Sequence, residues 1–371
     1  MQMAIDLLTR RRFLQQASAI AVLPLMGCGL KSSIDGYALF GAWRNESGQH
    51  GAGRIQAGLP QQSAMPTRGH HIEIIDGNEA WLFARRPSEY MQRVNWRTGK
   101  VLHTYSYDSS RAGFGHGIMH NGLLFTTDQD LDTDIGLLSV RHGKTGEVLQ
   151  EFSTGGIGPH ELLAMSDGRY IAIANGGILT RPELGRMKLN LADMQPSLSL
   201  LDVQTGRIVH NAKLPDASMS IRHLAHLPQD SIGIALQYES AEVSPKKNES
   251  PSVAAIWRVD SGLRLLNAPT ELLDKAQGYA ASAVSDGERY FAVSCPKANQ
   301  VFVWDKDGNW LTALNIPKVY GLAAAPIANR LIVSSENGSV HYYNTRTWLE
   351  VERERQKFPV IWDNHLKVVK I

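Results

Sequence analysis

Cysteine is almost missing from this chain of 371 residues: Cys28 and Cys295 are the two it has. At most one disulfide is possible, and no cysteine cluster can hold a metal. No sign of charge prevails either, since 38 Lys plus Arg stand against 36 Asp plus Glu. Without a basic field to track a phosphate backbone, nucleic acid is excluded as the expected partner. The apolar run Ala17–Met26 is interrupted by Ser18 and Pro24 and falls well short of the roughly 20 residues a spanning helix needs. Absent too are a G-x-S-x-G elbow, a Walker loop and a glycine fingerprint set between a strand and a helix, so the usual motifs of hydrolases and nucleotide enzymes are not there. What remains is globular in composition, 43% hydrophobic and 20% charged with 33 Gly and 16 Pro, which excludes disorder, collagen and coiled coil.

The N-terminus reads as an export signal. Thr9-Arg10-Arg11-Arg12-Phe13-Leu14 matches the twin-arginine core, and the short apolar run follows it. The run ends Leu25-Met26-Gly27-Cys28, a lipobox pattern in which Cys28 becomes the lipidated first residue. With Cys28 lipidated, Cys295 has no partner for a disulfide. The expected organisation is a signal peptide over 1–27, a lipidated N-terminus and linker over 28–36, and one folded domain over 37–371. The location expected is the periplasm, with the membrane reached through the lipid alone. Residues 1–27 hold three Arg and one Asp, so the remainder carries 35 basic and 35 acidic residues. Twin-arginine export moves folded proteins, which suits a protein loaded with a metal before it leaves the cytoplasm.

The rest of the chain repeats. A polar residue, two variable positions and Thr-Gly recur as Asn95–Gly99, His142–Gly146 and Asp202–Gly206, and in shorter or altered form at Asn45–Gly48, Asp260–Gly262, Asp305–Gly308 and Asn344–Thr347. The chain after residue 27, divided among seven copies, allots about 49 residues to each, the size of a four-stranded propeller blade. Alternating apolar residues flank the turns, as in Ile135–Val140 and Glu147–Phe152, Leu198–Val203 and Arg207–Leu214, Val301–Trp304 and Trp310–Leu314. A helix is expected nowhere beyond the signal except near Glu271–Ala276. The pattern predicts an all-β, seven-bladed β-propeller of the WD40/YVTN type, with four-stranded blades and closure by pairing of the N- and C-terminal strands. Trp43, Trp81, Trp96, Trp257, Trp304 and Trp362 stand in or beside strands and are expected to pack between blades.

Two blades are lengthened by loops, Asn175–Ser197 and Ser240–Ser252. The second is rich in Lys, Glu, Pro and Ser and reads as solvated. The first carries Leu179, Leu184, Met187, Leu189 and Leu191 with Arg181 and Arg186, and is expected either to pack as an excursion or to serve as a lid or ligand element.

A histidine opens most of the repeats. His70 precedes its turn by 25 residues and His116 by 26, while His160 and His223 precede theirs by 42 and 37 across the two long loops. Tyr279 and Tyr320 hold the phase in two further repeats, and His365 lies after the last turn. Equal phase in a propeller means equal position on one rim of the central channel. Five imidazoles on that rim suit iron, copper or zinc. Asp128, Asp130, Glu239 and Glu336 end second strands at the same face, and Glu161 could act as a base beside a metal-bound water. Alternatives stay open here: histidines that merely bond neighbouring blades, or an organic-ligand or catalytic site.

Several stretches resemble one uncharacterised family, the exported bacterial propellers known as domain of unknown function 1513. They are Gly156–Glu161, Asn175–Arg186, Leu189–Leu191 and Met194–Leu198, with Arg68–His70, Phe114–Gly117, Ile221–Leu224, Gly278-Tyr279 and Trp362–His365. The resemblance covers nearly the whole chain after the signal. It implies a gene encoded beside those of imelysin-type iron-uptake lipoproteins and a di-haem oxidoreductase, candidate partners, hence a part in periplasmic iron acquisition, and supplies no catalytic residue. The leading expectation is a propeller that binds iron, or an iron-bearing partner, through His70, His116, His160, His223 and His365, with no organic cofactor. Its rivals are a lactonase- or quinoprotein-like enzyme on the same face and a metal-free scaffold for the imelysin-type partner.

Overall fold

Local chemistry explains why the repeat folds as it does. The computed structural model of the chain describes residues 37–55, 63–240, 250–325 and 328–370; the twin-arginine motif, Cys28 and most of the Ser240–Ser252 loop lie outside them. In Asn95–Gly99 the Asn95 Oδ1 accepts from the amides of Arg97 at 3.1 Å and Thr98 at 3.0 Å, and Gly99 closes the turn at φ 76°. Asp202–Gly206 repeats the arrangement with Gly206 at φ 68°. The fifth position must be left-handed, which glycine adopts without strain. The copy at Asn344 has no glycine there. Trp348 takes φ 57° instead, its ring set edge-on to Tyr290 at 5.1 Å.

Antiparallel strands fill the chain between these turns, and the one α-helix among the described residues is Thr270–Ala276. Five sheets have four strands each. They open with Gly69–Ile74, Arg111–His120, Pro159–Ala164, Met219–Leu227 and Ser282–Ser285, and each proceeds outward in chain order. A sixth sheet has eight strands. It runs from Gln356–Lys357 inward to Val319–Ala325, passes to Ile361–Lys370, and continues through Tyr37–Arg44 to Ser63–Met65. Its two halves meet at a single parallel pairing, Leu322 with His365. Within the second half the last strand lies antiparallel to the first, Leu39 opposite Val368 and Trp43 opposite Trp362. The opening strands touch in succession from Gly69–Ile74 round to Val319–Ala325, and Ile361–Lys370 touches both that strand and Gly69–Ile74. The architecture is all-β and consistent with a propeller.

The core lies between sheets. Outer strands such as Lys100–Ser106 are solvated, whereas second and third strands are buried on both faces, as expected where sheets stack face to face. The tryptophans tie one sheet to the next: Trp81 Nε1 donates to the Gly143 carbonyl at 2.8 Å and Trp304 Nε1 to the Asn267 carbonyl at 2.7 Å. Trp362, buried beside Trp43 at 5.8 Å and Phe358 at 5.4 Å, fixes the pairing of the chain ends. Trp362→Ala should cost about 3–5 kcal/mol in denaturant unfolding. Leu349→Ala, at a side chain 69% exposed, should stay within about 0.5 kcal/mol of the parent. Equal midpoints for the two variants would contradict this account of closure.

Candidate metal centre

A regular strand sends successive side chains to opposite faces, so an inner strand cannot turn a motif such as His70-His71 wholly toward the axis without a break. The breaks are present. Pairing jumps from Gly69 to Ile72, from Gly113 to Gly117, from Pro159 to Leu162, from Ile221 to His223 and from Val319 to Leu322. Against the N-terminal strand, Asp363, Asn364 and His365 fall between the pairings of Trp362 and Leu366. Each bulge bends its strand and re-aims the residues it frees. Gly115 in the second bulge has φ 89°, and a Cβ there would stand 3.1 Å from His70 Cδ2 and 3.2 Å from the Ala84 carbonyl oxygen.

The histidines in or beside these bulges converge. His116 lies in the middle, its Nδ1 3.1 Å from His160 Nδ1 and its Nε2 3.1 Å from His365 Nε2. Ring centroids of His70 and His365 are 4.5 Å apart, those of His160 and His223 4.7 Å, and those of His223 and His365 4.6 Å. Two overlapping sets bring their ligand atoms within 4.8 Å of one another: His70, His116 and His160, and His116, Glu161, His223 and His365. A metal with bonds of about 2.0–2.1 Å holds neighbouring nitrogens about 2.9–3.4 Å apart, so 3.1 Å fits two donors on one ion. The donors are mainly imidazole nitrogens, with Glu161 the one carboxylate in either set. Such a set suits iron, copper or zinc rather than calcium or magnesium.

Carboxylates brace two of the rings. Asp363 accepts from His70 Nδ1 at 3.1 Å and also pairs with Arg68. Glu161 Oε2 lies 3.1 Å from His223 Nδ1 and accepts from the Leu224 amide at 2.9 Å. Metal-binding histidines are commonly oriented by such partners. Burial holds the cluster neutral. It drives His70, His116 and His160 well below 6.5, His223 down to about 3 and His365 down to about 4, with neighbouring histidines and arginines adding to the effect. Neutral imidazole is the form that binds metal.

The other expected residues fall elsewhere. Asp128 is committed to a buried ion pair with Arg141 at 2.6 Å and to the hydroxyls of Tyr107 and Thr126. Asp130 pairs with Arg111, Glu336 with Lys318, and Glu239 with Lys188. In the Asn175–Ser197 excursion, Asn175 is a buried brace whose Nδ2 donates to the Thr154 carbonyl and the Ser197 and Ser199 hydroxyls. Arg181 grips Asp134 at 2.6 Å. Arg186 is exposed. The apolar residues expected to pack there divide differently: Leu184, Met187 and Leu189 are exposed, while Ile178 and Met194 anchor the segment. Tyr279 precedes the unbulged strand Ser282–Ser285, and Tyr320 lies in the bulge between Val319 and Leu322.

Sequence reasoning missed His71 and Asp363. His71 lies 5.2 Å from His116 and 5.7 Å from His365 between ring centroids, and its buried Nδ1 has no partner. Its signal was the His70-His71 pair itself, which only a bulge lets face one way. His120 stands i,i+4 from His116 yet bonds the Gly168 carbonyl, so that spacing marks no site on a strand.

A family model described as "Protein of unknown function (DUF1513)" matches residues 63–369. No curated protein matches the chain.

The buried rings make the metal-free protein sensitive to acid. Each has a folded value below its unfolded 6.5, so the unfolded chain takes up the extra protons. Stability is then full above pH 6.5 and falls as pH drops below it, more steeply the more rings must be protonated on unfolding. Glu161, raised by burial, works in the opposite sense and only softens the slope. Denaturant midpoints of chelator-treated protein should drop steadily from pH 7 to pH 5, and His223→Gln should flatten that drop by about one ring's share. A midpoint independent of pH would contradict the neutral cluster.

Proposed function

Since the chain belongs to the DUF1513 family, whose function is unknown, we propose a role from its own site: it binds a transition metal on the histidine cluster, with iron the first candidate. The observation that carries this reading is the pair of overlapping ligand sets sharing His116. The eight-stranded sheet is read as two blades joined at Leu322 and His365, which makes a seven-bladed propeller with one blade built from both chain ends. The ligands then line one mouth of its channel. The twin-arginine motif sends the protein to the periplasm folded, Cys28 anchors it by lipid, and it serves iron acquisition beside an imelysin-type lipoprotein and a di-haem oxidoreductase. A lactonase-like site would hold a hard cation in carboxylates, and with Glu161 the one carboxylate in either set this alternative has less support.

One observation favours a second reading. Both nitrogens of His116 have a ring nitrogen 3.1 Å away, and neutral tautomers can pair as donor and acceptor at each contact. A metal-free histidine network would then brace the blades of a scaffold protein.

Metal content separates the two. The full chain with Cys28→Ala, exported and purified without chelator or histidine tag, should carry near-stoichiometric iron, copper or zinc by plasma mass spectrometry. His116→Ala with His160→Ala should lose that metal and keep a cooperative denaturant transition. Protein that arrives metal-free and takes up none on titration would overturn the metal reading.

A further inference from the structure

The histidines have cationic neighbours that are only partly neutralised among the described residues. Arg222 occupies the bulge just before His223 and is 1% exposed. Its Nε and Nη1 are buried without a partner, and its Nη2 comes no nearer than 3.6 Å to Glu239. Arg86, two residues beyond the strand Glu79–Ala84, is 7% exposed, its guanidinium 5.6 Å from the Phe114 ring and its Nη1 unpartnered. Gly176, at the root of the long excursion, gives Arg222 room: a Cβ there would sit 3.0 Å from Nη1.

Arg222 adjoins His223 in the bulge, and the charges of both guanidiniums help to depress His160 and His223. Like charges also crowd each other. Burial, then Arg222, Arg186 and Arg85, lower Arg86, and burial with Arg186 brings Arg222 down to about 10 against the pull of Glu239. The carboxylates within reach are shared, Glu239 between Lys188 and, at 3.6 Å, Arg222, and Asp363 between Arg68 and His70. A buried guanidinium without a counter-ion is costly, and its planar fork matches the two oxygens of a carboxylate or phosphate.

We propose that Arg86 and Arg222 form an oxyanion subsite beside the histidine cluster, which takes the carboxylate or phosphate group of a small ligand. Arg85 and Arg186 add long-range attraction at its rim. A polycarboxylate or phosphate that chelates a metal would satisfy histidines and arginines together, but the subsite itself needs no metal. The positive surplus is a property of this chain alone.

The test is calorimetric titration of the full chain carrying Cys28→Ala, stripped of metal, with citrate and with orthophosphate, chloride matching the ionic strength. Saturable binding of at least one oxyanion at or below about 10 mM is expected. Citrate alone would mark a carboxylate ligand, orthophosphate alone a phosphate or phosphoester. Arg86→Gln and Arg222→Gln should each weaken binding at least about tenfold. Both should match or exceed the parent in thermal midpoint without anion, because each removes an uncompensated charge. Arg222→Lys, which keeps the charge but loses the fork, should bind at intermediate strength. No saturable binding by the parent, or parent-like binding by the Gln variants, would overturn the subsite. So would a fall in midpoint for both Gln variants, since the guanidiniums would then be holding the fold. The protein is metal-free throughout, so failure here leaves the metal reading standing, and failure of the metal reading leaves this result untouched.

Discussion

The break in pairing along the inner strands is the constraint on which the rest depends. An unbroken ladder would leave alternate motif residues inside the sheet packing, and no ring of imidazoles could form. Instead the ladder is interrupted where the motif stands, at His70-His71, at Phe114–His116, at His160-Glu161, at Arg222 and at Asp363–His365. Each interruption gives up backbone pairing locally, and the flanking strands must be rigid enough to hold it. The buried second strands and the tryptophans that donate to neighbouring turns supply that rigidity. Bulges beside functional residues are a familiar use of the device.

Electrostatics point the same way. Six imidazoles held neutral at close range, with two buried guanidiniums whose Nη1 atoms have no hydrogen-bond partner, are expensive in a metal-free and anion-free protein. A fold selected for stability alone would fill such a space with apolar side chains. The neighbouring ion pair of Arg141 and Asp128 shows the contrast. There a buried arginine has its carboxylate at 2.6 Å, a hydroxyl from Thr126 and the Gly146 carbonyl. Arg86 and Arg222 sit at similar depth with little of this, the Nη1 of each having no hydrogen-bond partner, and the proposed oxyanion subsite rests on that contrast.

What was legible in the sequence was what local chemistry dictates. The Asn/Asp-x-x-Thr-Gly turns announce themselves because one side chain caps two amides and one glycine reverses the chain, and the flanking strands follow within a residue or two: Leu198–Val203 was expected and Ser197–Asp202 is found. The phase of His70, His116, His160, His223 and His365 was readable for the same reason. Bulges were not, since they depend on how a strand meets its neighbour. That hid His71 and Asp363 and left Asp128 looking available when Arg141 had already claimed it. The excursion misled through composition, for Leu184, Met187 and Leu189 lie outward while Ile178 and Met194 hold the segment. The passage of one eight-stranded sheet across two halves rests on a single pairing, Leu322 with His365, which no periodicity encodes.

The central claim is that these bulges aim imidazole nitrogens at a common ion. A crystal of the full Cys28→Ala chain, carrying its own metal or soaked with zinc, tests it through the anomalous signal at the metal's absorption edge. The account predicts a peak bonded at about 2.0–2.1 Å to at least three ring nitrogens among His70, His116, His160, His223 and His365. Ordered imidazoles with no anomalous density among them, or metal bound only at surface carboxylates, would contradict it.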